Sequence, residues 1–358
     1  MSARALPSAA VDLPAQPEGR PWPTATWATG EQASGDAERV ADLFEQAFDP
    51  GAVDVLGEHR ALLAVQGGRI VAERYAPGLD ATTAHLSWSV AKSITHAAAG
   101  LLVARGLLDP EAPVDAPEWQ EPGDPRRDIR TSDLMSMRSG LRFVEDYVDD
   151  TTSDCLEMLY GSGADDVAHY AASRALEHRV GEQFNYSSGS TNVVVRHLAA
   201  LLGADASATP DERRRVITEL VARDLFARMG AAPVELRFDA VGTWVGSSYL
   251  YATARDYARL GLLYLRDGVW DGERLLPEGW VDRARTAQSR DPDNGWAYGE
   301  HWWVRDDDVG TFWANGYDGQ MVACVPALDL VFVRLARSPA ALRPAAERFW
   351  FDLLDAFR

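Results

Sequence analysis

The residues best suited to chemistry in this chain are Ser89 and Lys92, and Lys92 is the only lysine beside 34 arginines. The pair lies where a short polar segment, residues 86–88, leads into an apolar helical pattern that ends near Gly106. Residues three apart on a helix share a face, so the amine is expected beside the Ser89 hydroxyl. A buried amine can lose its proton, whereas a guanidinium stays charged. The spacing therefore indicates a serine nucleophile with a lysine base, the plain alternative being a capping serine and an exposed lysine.

Two further polar segments carry groups that could serve the same reaction. Residues 181–190 place Tyr186 among serines and a glycine just before a helical run. Its phenol could relay a proton between the serine and a leaving group if a cation such as Lys92 stabilised the phenolate. In residues 313–320, Gly316 would let the backbone approach a ligand and offer N–H groups to an oxyanion. Taken alone, Tyr186 also fits a packing residue, and residues 313–320 fit an ordinary turn.

Length and composition limit the class of protein. The chain has 358 residues, 46% of them hydrophobic and 25% charged, which is typical of a globular protein with a full core. Its formal net charge of −19 disfavours nucleic acid and anionic lipid surfaces as partners. No apolar run is long enough to cross a bilayer, and residues 1–32 lack the basic start and apolar core of a signal peptide. We therefore expect a cytoplasmic protein without nucleic-acid or membrane partners.

Metal and disulfide chemistry have little support in the sequence. Cys155 and Cys324 are far apart and form no CxxC pair, which favours two free core thiols. There is no HExxH motif, and the seven histidines show no ligand-type clustering. A nucleophile-elbow hydrolase would need Gly-x-Ser-x-Gly, which does not occur. We expect neither a metal nor an organic cofactor.

The periodicity predicts an α/β (α+β) protein. A helix over residues 36–48 and a β-hairpin over residues 62–75 open the globular part, and several strand-like runs followed by a helix over residues 341–357 close it. Strands from both chain ends would form a five-stranded antiparallel sheet flanked by helices. The predicted division is an extended arm over residues 1–35, an α/β domain over residues 36–85 plus 241–358, and a mostly helical insertion over residues 86–240 that carries the serine-lysine and tyrosine motifs.

Three of these segments resemble the motifs of a known superfamily. Ser89-Val90-Ala91-Lys92, Tyr186-Ser187-Ser188 and the Gly316 segment, in that order, resemble the serine β-lactamase and penicillin-recognising superfamily. More specifically, the chain is similar to the class C-like branch that includes 6-aminohexanoate-oligomer hydrolases and related esterases. Two further segments also match: residues 129–141, which resemble that branch's helix before the active-site loop, and residues 246–253. The similarity therefore runs from Trp22 to the C-terminus. It implies a β-lactamase/transpeptidase-like fold.

The resemblance also implies roles for individual residues. Ser89 would be the acylated nucleophile, with Lys92 and Tyr186 as general base and acid. The backbone N–H groups of Ser89 and Tyr317 would form the oxyanion hole, with Asn315 and Gly316 beside them at the substrate. Tyr147 falls where the oligomer hydrolases carry a loop tyrosine over the substrate. The implied partner is a small-molecule ester or amide, and the sequence is compatible with a homodimer.

One departure from the superfamily pattern affects the substrate. The third motif is usually Lys-Thr-Gly or His-Thr-Gly, whose cation helps to hold a substrate carboxylate, but here it is Ala314-Asn315-Gly316. We therefore expect β-lactams and D-Ala-D-Ala peptides to be poor substrates. The sequence leaves open esterase against amidase, a true β-lactamase or D-alanyl peptidase, and a non-catalytic or singly acylated sensor on the same fold.

Overall fold

The computed structural model describes residue 6, residues 11–147 and residues 152–358. Within these ranges, the α-helices are α1 Ala37–Ala47, α2 Val53–Leu56, α3 Val90–Ala104, α4 Thr131–Met135, α5 Asp154–Tyr160, α6 Val167–Ala172, α7 Ser188–Leu201, α8 Pro210–Thr218, α9 Ala254–Leu265, α10 Trp280–Arg285 and α11 Arg343–Ala356. The strands there are β1 Glu58–Gln66, β2 Arg69–Tyr75, β3 Ala84–Leu86, β4 Glu235–Leu236, β5 Leu250–Thr253, β6 Val269–Trp270, β7 Glu273–Arg274, β8 Ser289–Arg290, β9 Ala297–Tyr298, β10 Trp303–Val304, β11 Phe312–Gly316, β12 Gln320–Val325 and β13 Leu330–Arg337.

The main sheet is antiparallel and joins both ends of the chain, as predicted. Its strand order is β2-β1-β13-β12-β11-β10-β9-β8. The expected number of five strands was too low, because the sheet has eight. Strands β8 and β9 have two residues each, which is too short to show the alternation by which strands are recognised in a sequence.

Both faces of this sheet are buried. Along β1, Ala61, Leu63 and Val65 belong to one apolar cluster, and Leu62 and Ala64 belong to the other. Successive side chains of a strand point to opposite faces, so a strand covered on both sides is continuously apolar. Helix α9 packs on one face, and α1 and α11 cover the other. The central strands are thereby held rigidly beneath the site.

Helix α3 is the centre of the helical region. Every residue from Val90 to Leu102 is buried, so the helix lacks a solvent face and is packed all round. It contacts α7 and β11, and Gly106 follows it with a φ of 68°, which suits a helix stop. The expectation of a long helical segment over residues 129–141 was wrong: α4 ends at Met135, and Met137 has a φ of 59°.

The arm preceding α1 lies extended along the globular part. Its described portion receives hydrogen bonds from buried arginines, Arg266 Nη1 to the carbonyl of Pro14 at 3.2 Å and Arg259 Nε to the carbonyl of Pro23 at 3.0 Å. Residues 1–5 and 7–10 of the predicted arm lie outside the described residues. The division at residues 86 and 240 stays a prediction. No helix in the described ranges is both long and apolar enough to span a membrane.

Candidate active site

Ser89 lies at the start of α3, immediately after a constrained residue. Trp88 has a φ of 43°, a left-handed conformation that is unfavourable for a bulky side chain and is found where surrounding structure enforces it. The preceding Ser87 is tied to β5, since its N–H donates to Leu250 O at 2.8 Å and its hydroxyl accepts from Leu250 N at 3.1 Å. The turn leaves Ser89 half-buried at the wall of a pocket.

Lys92 lies behind Ser89 and is almost completely buried. Its Nζ is 3.0 Å from Ser89 Oγ, 3.0 Å from Ser188 Oγ and 3.0 Å from the carbonyl oxygen of Ser247. Burial lowers the pKa of the Lys92 amine from its ordinary value, and the negative charge of Glu145 partly opposes this shift. The structure thus has the predicted Ser89–Lys92 contact and excludes the alternative of an exposed lysine.

Tyr186 is held beside this pair by other aromatic rings. Its ring stacks on Trp303 at 5.7 Å between centroids and meets Tyr298 edge-on at 6.0 Å, and Lys92 Nζ lies 4.9 Å from the ring centre. Burial raises the pKa of the Tyr186 phenol, the charge of Glu145 raises it further, and the contact with Ser89 opposes both. The resting side chain is therefore a neutral phenol, which can donate a proton, and not the phenolate considered from the sequence.

The third predicted segment also reaches the nucleophile. Gly316 ends β11, and a Cβ at this position would lie 2.7 Å from the carbonyl oxygen of Ser87. The absence of a side chain thus permits the close approach of β11 to the start of α3. The Tyr317 ring meets Trp88 at 5.6 Å and Tyr147 at 5.1 Å, and Asn315 is exposed beside them.

A pocket of about 630 Å³ opens over Ser89. Six of the seven predicted site residues line this pocket, and the seventh, Lys92, is not among its lining residues. The remaining wall is rich in aromatic side chains, and Asp291, Asp293, Arg343 and Glu347 contribute charge. The Arg343 guanidinium lies 5.1 Å from the centre of the Tyr317 ring. The pocket suits a partly apolar small molecule with polar ends.

Sequence reasoning missed several groups of the site. Glu145 accepts hydrogen bonds from Ser188 and Tyr147, although only its proximity to Tyr147 in the sequence could have drawn attention to it. Ser247 contributes a backbone carbonyl, a group that every residue carries and that leaves no sequence signal. The aromatic wall could have been suspected from the tryptophans late in the chain, which include Trp296, Trp303, Trp313 and Trp350.

The cysteines and the possible metal ligands can now be placed in the structure. Cys155 and Cys324 are both buried and free, as the sequence suggested. Among the described residues, no group of three or more His, Cys, Asp or Glu side chains is arranged to hold a metal ion. What the assembled groups can do is transfer protons between a hydroxyl, an amine and a phenol beside a pocket.

Comparison with known proteins shows which family the chain belongs to. The family model described as beta-lactamase matches residues 40–357. The chain therefore belongs to the beta-lactamase family, which confirms the superfamily, the predicted fold and the expectation of a serine hydrolase related to β-lactamases. The match covers most of the span from Trp22 for which the resemblance was inferred.

Individual relatives agree with the branch that was named. The 6-aminohexanoate-dimer hydrolase of Paenarthrobacter ureafaciens is 27% identical over 321 residues, covering 85% of this chain and 77% of that protein. A Bacillus anthracis protein provisionally assigned as a 6-aminohexanoate-dimer hydrolase has a TM-score of 0.71 at 19% identity, with 92% of this chain and 87% of that chain covered. A family VIII carboxylesterase has a TM-score of 0.62 at 15% identity, with 87% and 97% covered.

Proposed function

We propose that this protein hydrolyses ester or amide bonds of small molecules through an acyl-enzyme on Ser89, with Lys92 as general base and Tyr186 as general acid. The observation that carries the proposal is the 3.0 Å contact between Lys92 Nζ and Ser89 Oγ, at a site where burial lowers the pKa of the amine. A neutral amine at hydrogen-bond distance can remove the hydroxyl proton during attack.

In the acylation step, Ser89 Oγ bonds to the substrate carbonyl carbon while its proton passes to Lys92 Nζ. The carbonyl oxygen becomes an oxyanion, for which the N–H groups of Ser89 and Tyr317 are the proposed donors, with Gly316 and Asn315 alongside. The bond to the leaving group breaks as Tyr186 gives that group its phenolic proton, and Lys92 returns a proton to the phenolate. The products are an ester on Ser89 and a free alcohol or amine.

In the deacylation step, a water molecule attacks the Ser89 ester. Lys92 or Tyr186 takes the proton of that water, the acid product leaves, and the proton returns to Ser89 Oγ. Lys92 lies within 3.0 Å of Ser89 Oγ and faces the Tyr186 ring, so no group needs to move far between the two steps. Tyr147 lines the same pocket as Tyr186 and is the proposed cover of the substrate.

The chemical nature of the pocket supports small esters or amides over β-lactams. Two of the relatives are named as a 6-aminohexanoate-dimer hydrolase and as a carboxylesterase, and both names describe hydrolysis. The lysine of a Lys-Thr-Gly motif is missing, and Asn315, which stands in that motif, carries no charge. Arg343 is a cation in the pocket wall, but it lies over the Tyr317 ring and not in the third motif.

Covalent labelling tests the proposal directly. After reaction with a fluorophosphonate, intact mass should show one adduct, and peptide mapping should place it on Ser89. Ser89→Ala should lose the label and at least about 10³-fold of turnover on short p-nitrophenyl esters, while Ser162→Ala, at an exposed loop serine, should keep both. Full turnover by Ser89→Ala would refute the mechanism.

The same assay separates the other candidates. Sustained release of p-nitrophenol indicates an enzyme, whereas a single stoichiometric burst indicates an acylated sensor. Parallel reactions with a cephalosporin, a D-Ala-D-Ala peptide and aminohexanoate dimers compare the substrate classes. We expect the esters or the dimers to be turned over faster than the cephalosporin, and the reverse order would favour a true β-lactamase.

A further inference from the structure

We infer that Glu145 is a positioning residue of the proposed reaction: by holding the hydroxyl proton of Ser188, it directs the lone pair of Lys92 toward Ser89. The inference rests on the proposed roles of Ser89 and Lys92. Glu145 is linked to Ser89 by a chain of hydrogen bonds that runs through Ser188 and Lys92.

Glu145 uses both of its carboxylate oxygens. Oε1 accepts from the hydroxyl of Ser188 at 2.6 Å and from the hydroxyl of Tyr147 at 2.6 Å, and Oε2 accepts from the N–H of Ser188 at 2.7 Å. Three donors therefore converge on two oxygens, which only an acceptor-only group can satisfy. A glutamine has one oxygen and one NH₂ group. Its NH₂ would either face the N–H of Ser188, which cannot accept, or face the two hydroxyls, which would then have to turn their hydrogens elsewhere.

The Ser188 hydroxyl has a single hydrogen, which it donates in its hydrogen bond to Glu145. Toward Lys92 Nζ, at 3.0 Å, Ser188 Oγ can then only accept. The carbonyl oxygen of Ser247, also at 3.0 Å from Nζ, can only accept as well. A neutral amine has two hydrogens and one lone pair, so these two acceptors use both hydrogens. The lone pair is left for the third neighbour, the Ser89 hydroxyl at 3.0 Å, and that is the direction a base requires.

If the Ser188 hydrogen turned toward Lys92 instead, the lone pair would be occupied by Ser188. Ser89 would then face an N–H group and could not give up its proton to the amine. Glu145 prevents this arrangement, because its carboxylate is the acceptor for the Ser188 hydroxyl. By also accepting from Tyr147, it joins the proposed substrate cover to the same hydrogen-bond network.

The charge of Glu145 acts in the same place. It raises the pKa of Lys92 against the effect of burial, so its removal should lower that pKa further. The titratable groups that face Glu145 and Lys92 from the surrounding elements are Tyr147, Cys155, Tyr186, Asp291, Tyr298 and His301. Among these six residues, Glu145 and Lys92, only Lys92 can supply a full positive charge, since burial lowers the pKa of His301.

The single lysine permits a direct measurement. Lysine labelled with ¹³C at Cε gives one side-chain NMR signal in this protein, and its shift against pH reports the pKa of Lys92. For Glu145→Gln we expect a lower Lys92 pKa than in the wild type and a fall in kcat/KM on the order of 10- to 100-fold for an ester substrate. The matched control is Glu157→Gln, because the exposed Glu157 also holds the N–H and hydroxyl of a serine, Ser162, but away from the site.

A double-mutant cycle tests the route through Ser188. If Glu145 acts by orienting Ser188, then Ser188→Ala should lose a similar factor, and the double variant should lose little more than either single variant. Additive losses, or a Lys92 pKa in Glu145→Gln that equals the wild-type value, would overturn the inference. Absence of fluorophosphonate labelling in the wild type would instead overturn the proposed function, so the two failures are distinct.

Discussion

Lys92 is fully buried, and its amine has three polar neighbours. Burial disfavours the ammonium, and among the described residues no carboxylate lies within ion-pair distance of it. Glu145 acts on Lys92 by its charge and is hydrogen-bonded to Ser188. An arginine could not take this place, because its guanidinium stays protonated and has no lone pair to offer. Beside 34 arginines, the chain has its one lysine at the position where the proposed mechanism requires the charge to change.

Tyr186 should matter more for amides than for esters. An amine leaving group must be protonated as the bond breaks, whereas a phenolate can leave without a proton. For Tyr186→Phe we expect kcat/KM to fall on the order of 10²- to 10³-fold on an anilide and about 10-fold on the phenyl ester of the same acid. Steady-state kinetics on the matched pair would measure the difference.

The phenylalanine variant keeps the ring that stacks on Trp303, so packing should be retained. Tyr160→Phe is the control, because it removes one hydroxyl from a side chain that is exposed on the surface. Equal losses on the anilide and the ester would contradict the role of Tyr186 as the acid.

These side chains differ in how far the sequence could place them. The contact between Ser89 and Lys92 could be predicted because positions three apart in a helix always share a face. Glu145 could not be placed, since its distance from Ser188 depends on the path of a loop far away in the sequence. The carbonyl of Ser247 was equally invisible, because its function requires no particular side chain.

The close approach of strand β11 to helix α3 depends on the absence of a Cβ at Gly316. Gly316→Ala would place a methyl group 2.7 Å from Ser87 O, below any normal contact, and Ser87 O is a backbone atom that cannot rotate away as a side chain could. The strand must shift away from the start of α3, and a displacement of this size misaligns the proposed N–H donors of Ser89 and Tyr317. We expect kcat to fall about 10- to 100-fold with a smaller change in KM, measured by steady-state ester hydrolysis.

A second glycine separates misalignment from simple crowding. A Cβ at Gly261, on α9, would lie 2.5 Å from Val331 Cγ1 on the sheet. Gly261→Ala should therefore cost about 1 to 3 kcal/mol of unfolding free energy by overpacking, while kcat of the folded enzyme should stay near the wild-type value. If Gly316→Ala changed only the stability, as Gly261→Ala is expected to do, then the approach of β11 would not serve the chemistry.

The elements themselves were predictable where their patterns were long. Helices α1 and α11 begin and end within two residues of their predicted positions, and strands β1 and β2 form the predicted hairpin, because long apolar patterns mark these elements in the sequence. Strands β8 and β9 escaped because two residues form no pattern. The helix that the family resemblance implied over residues 129–141 is shorter in the structure, because α4 ends at Met135 and the left-handed Met137 follows it.

At the scale of the whole molecule, the described part of the arm is tied to the globular part at both strand β2 and helix α11. The arm is anchored to β2 through Gly30 N and Ile70 O at 3.0 Å, and Asp36 N donates to Ala356 O at 2.8 Å. These contacts explain how a polar, Pro-rich segment without periodicity is held in an extended conformation, and no pattern in its sequence could have located them. The cytoplasmic location stays a prediction, and the homodimer with which the sequence is compatible is not tested.

Buried histidines should make the folded protein sensitive to mild acid. His59 and His85 are nearly inaccessible; burial lowers the pKa of His59 to about 3 and that of His85 to about 4, with Arg334 and Arg60 adding to the respective shifts. In the unfolded chain these imidazoles titrate near about 6.5. The unfolded state therefore binds more protons below that pH, and the stabilisation present above it is lost as pH falls.

Between pH 7 and pH 5, the loss should be about 2 kcal/mol for each of the two imidazoles. Asp239 opposes it, because burial raises the pKa of its carboxyl to about 6, so its contribution to stability grows over the same interval. These three groups together should lower the unfolding free energy by about 2 to 3 kcal/mol between urea titrations at the two pH values. The pKa values of His96, His197 and His301 are also lowered by burial, so these histidines act in the same direction as His59 and His85. His59→Gln removes one titrating group and should reduce the fall by about 2 kcal/mol, whatever its stability at pH 7. Equal stability at both pH values would show that the buried imidazoles do not govern the acid limit of this fold.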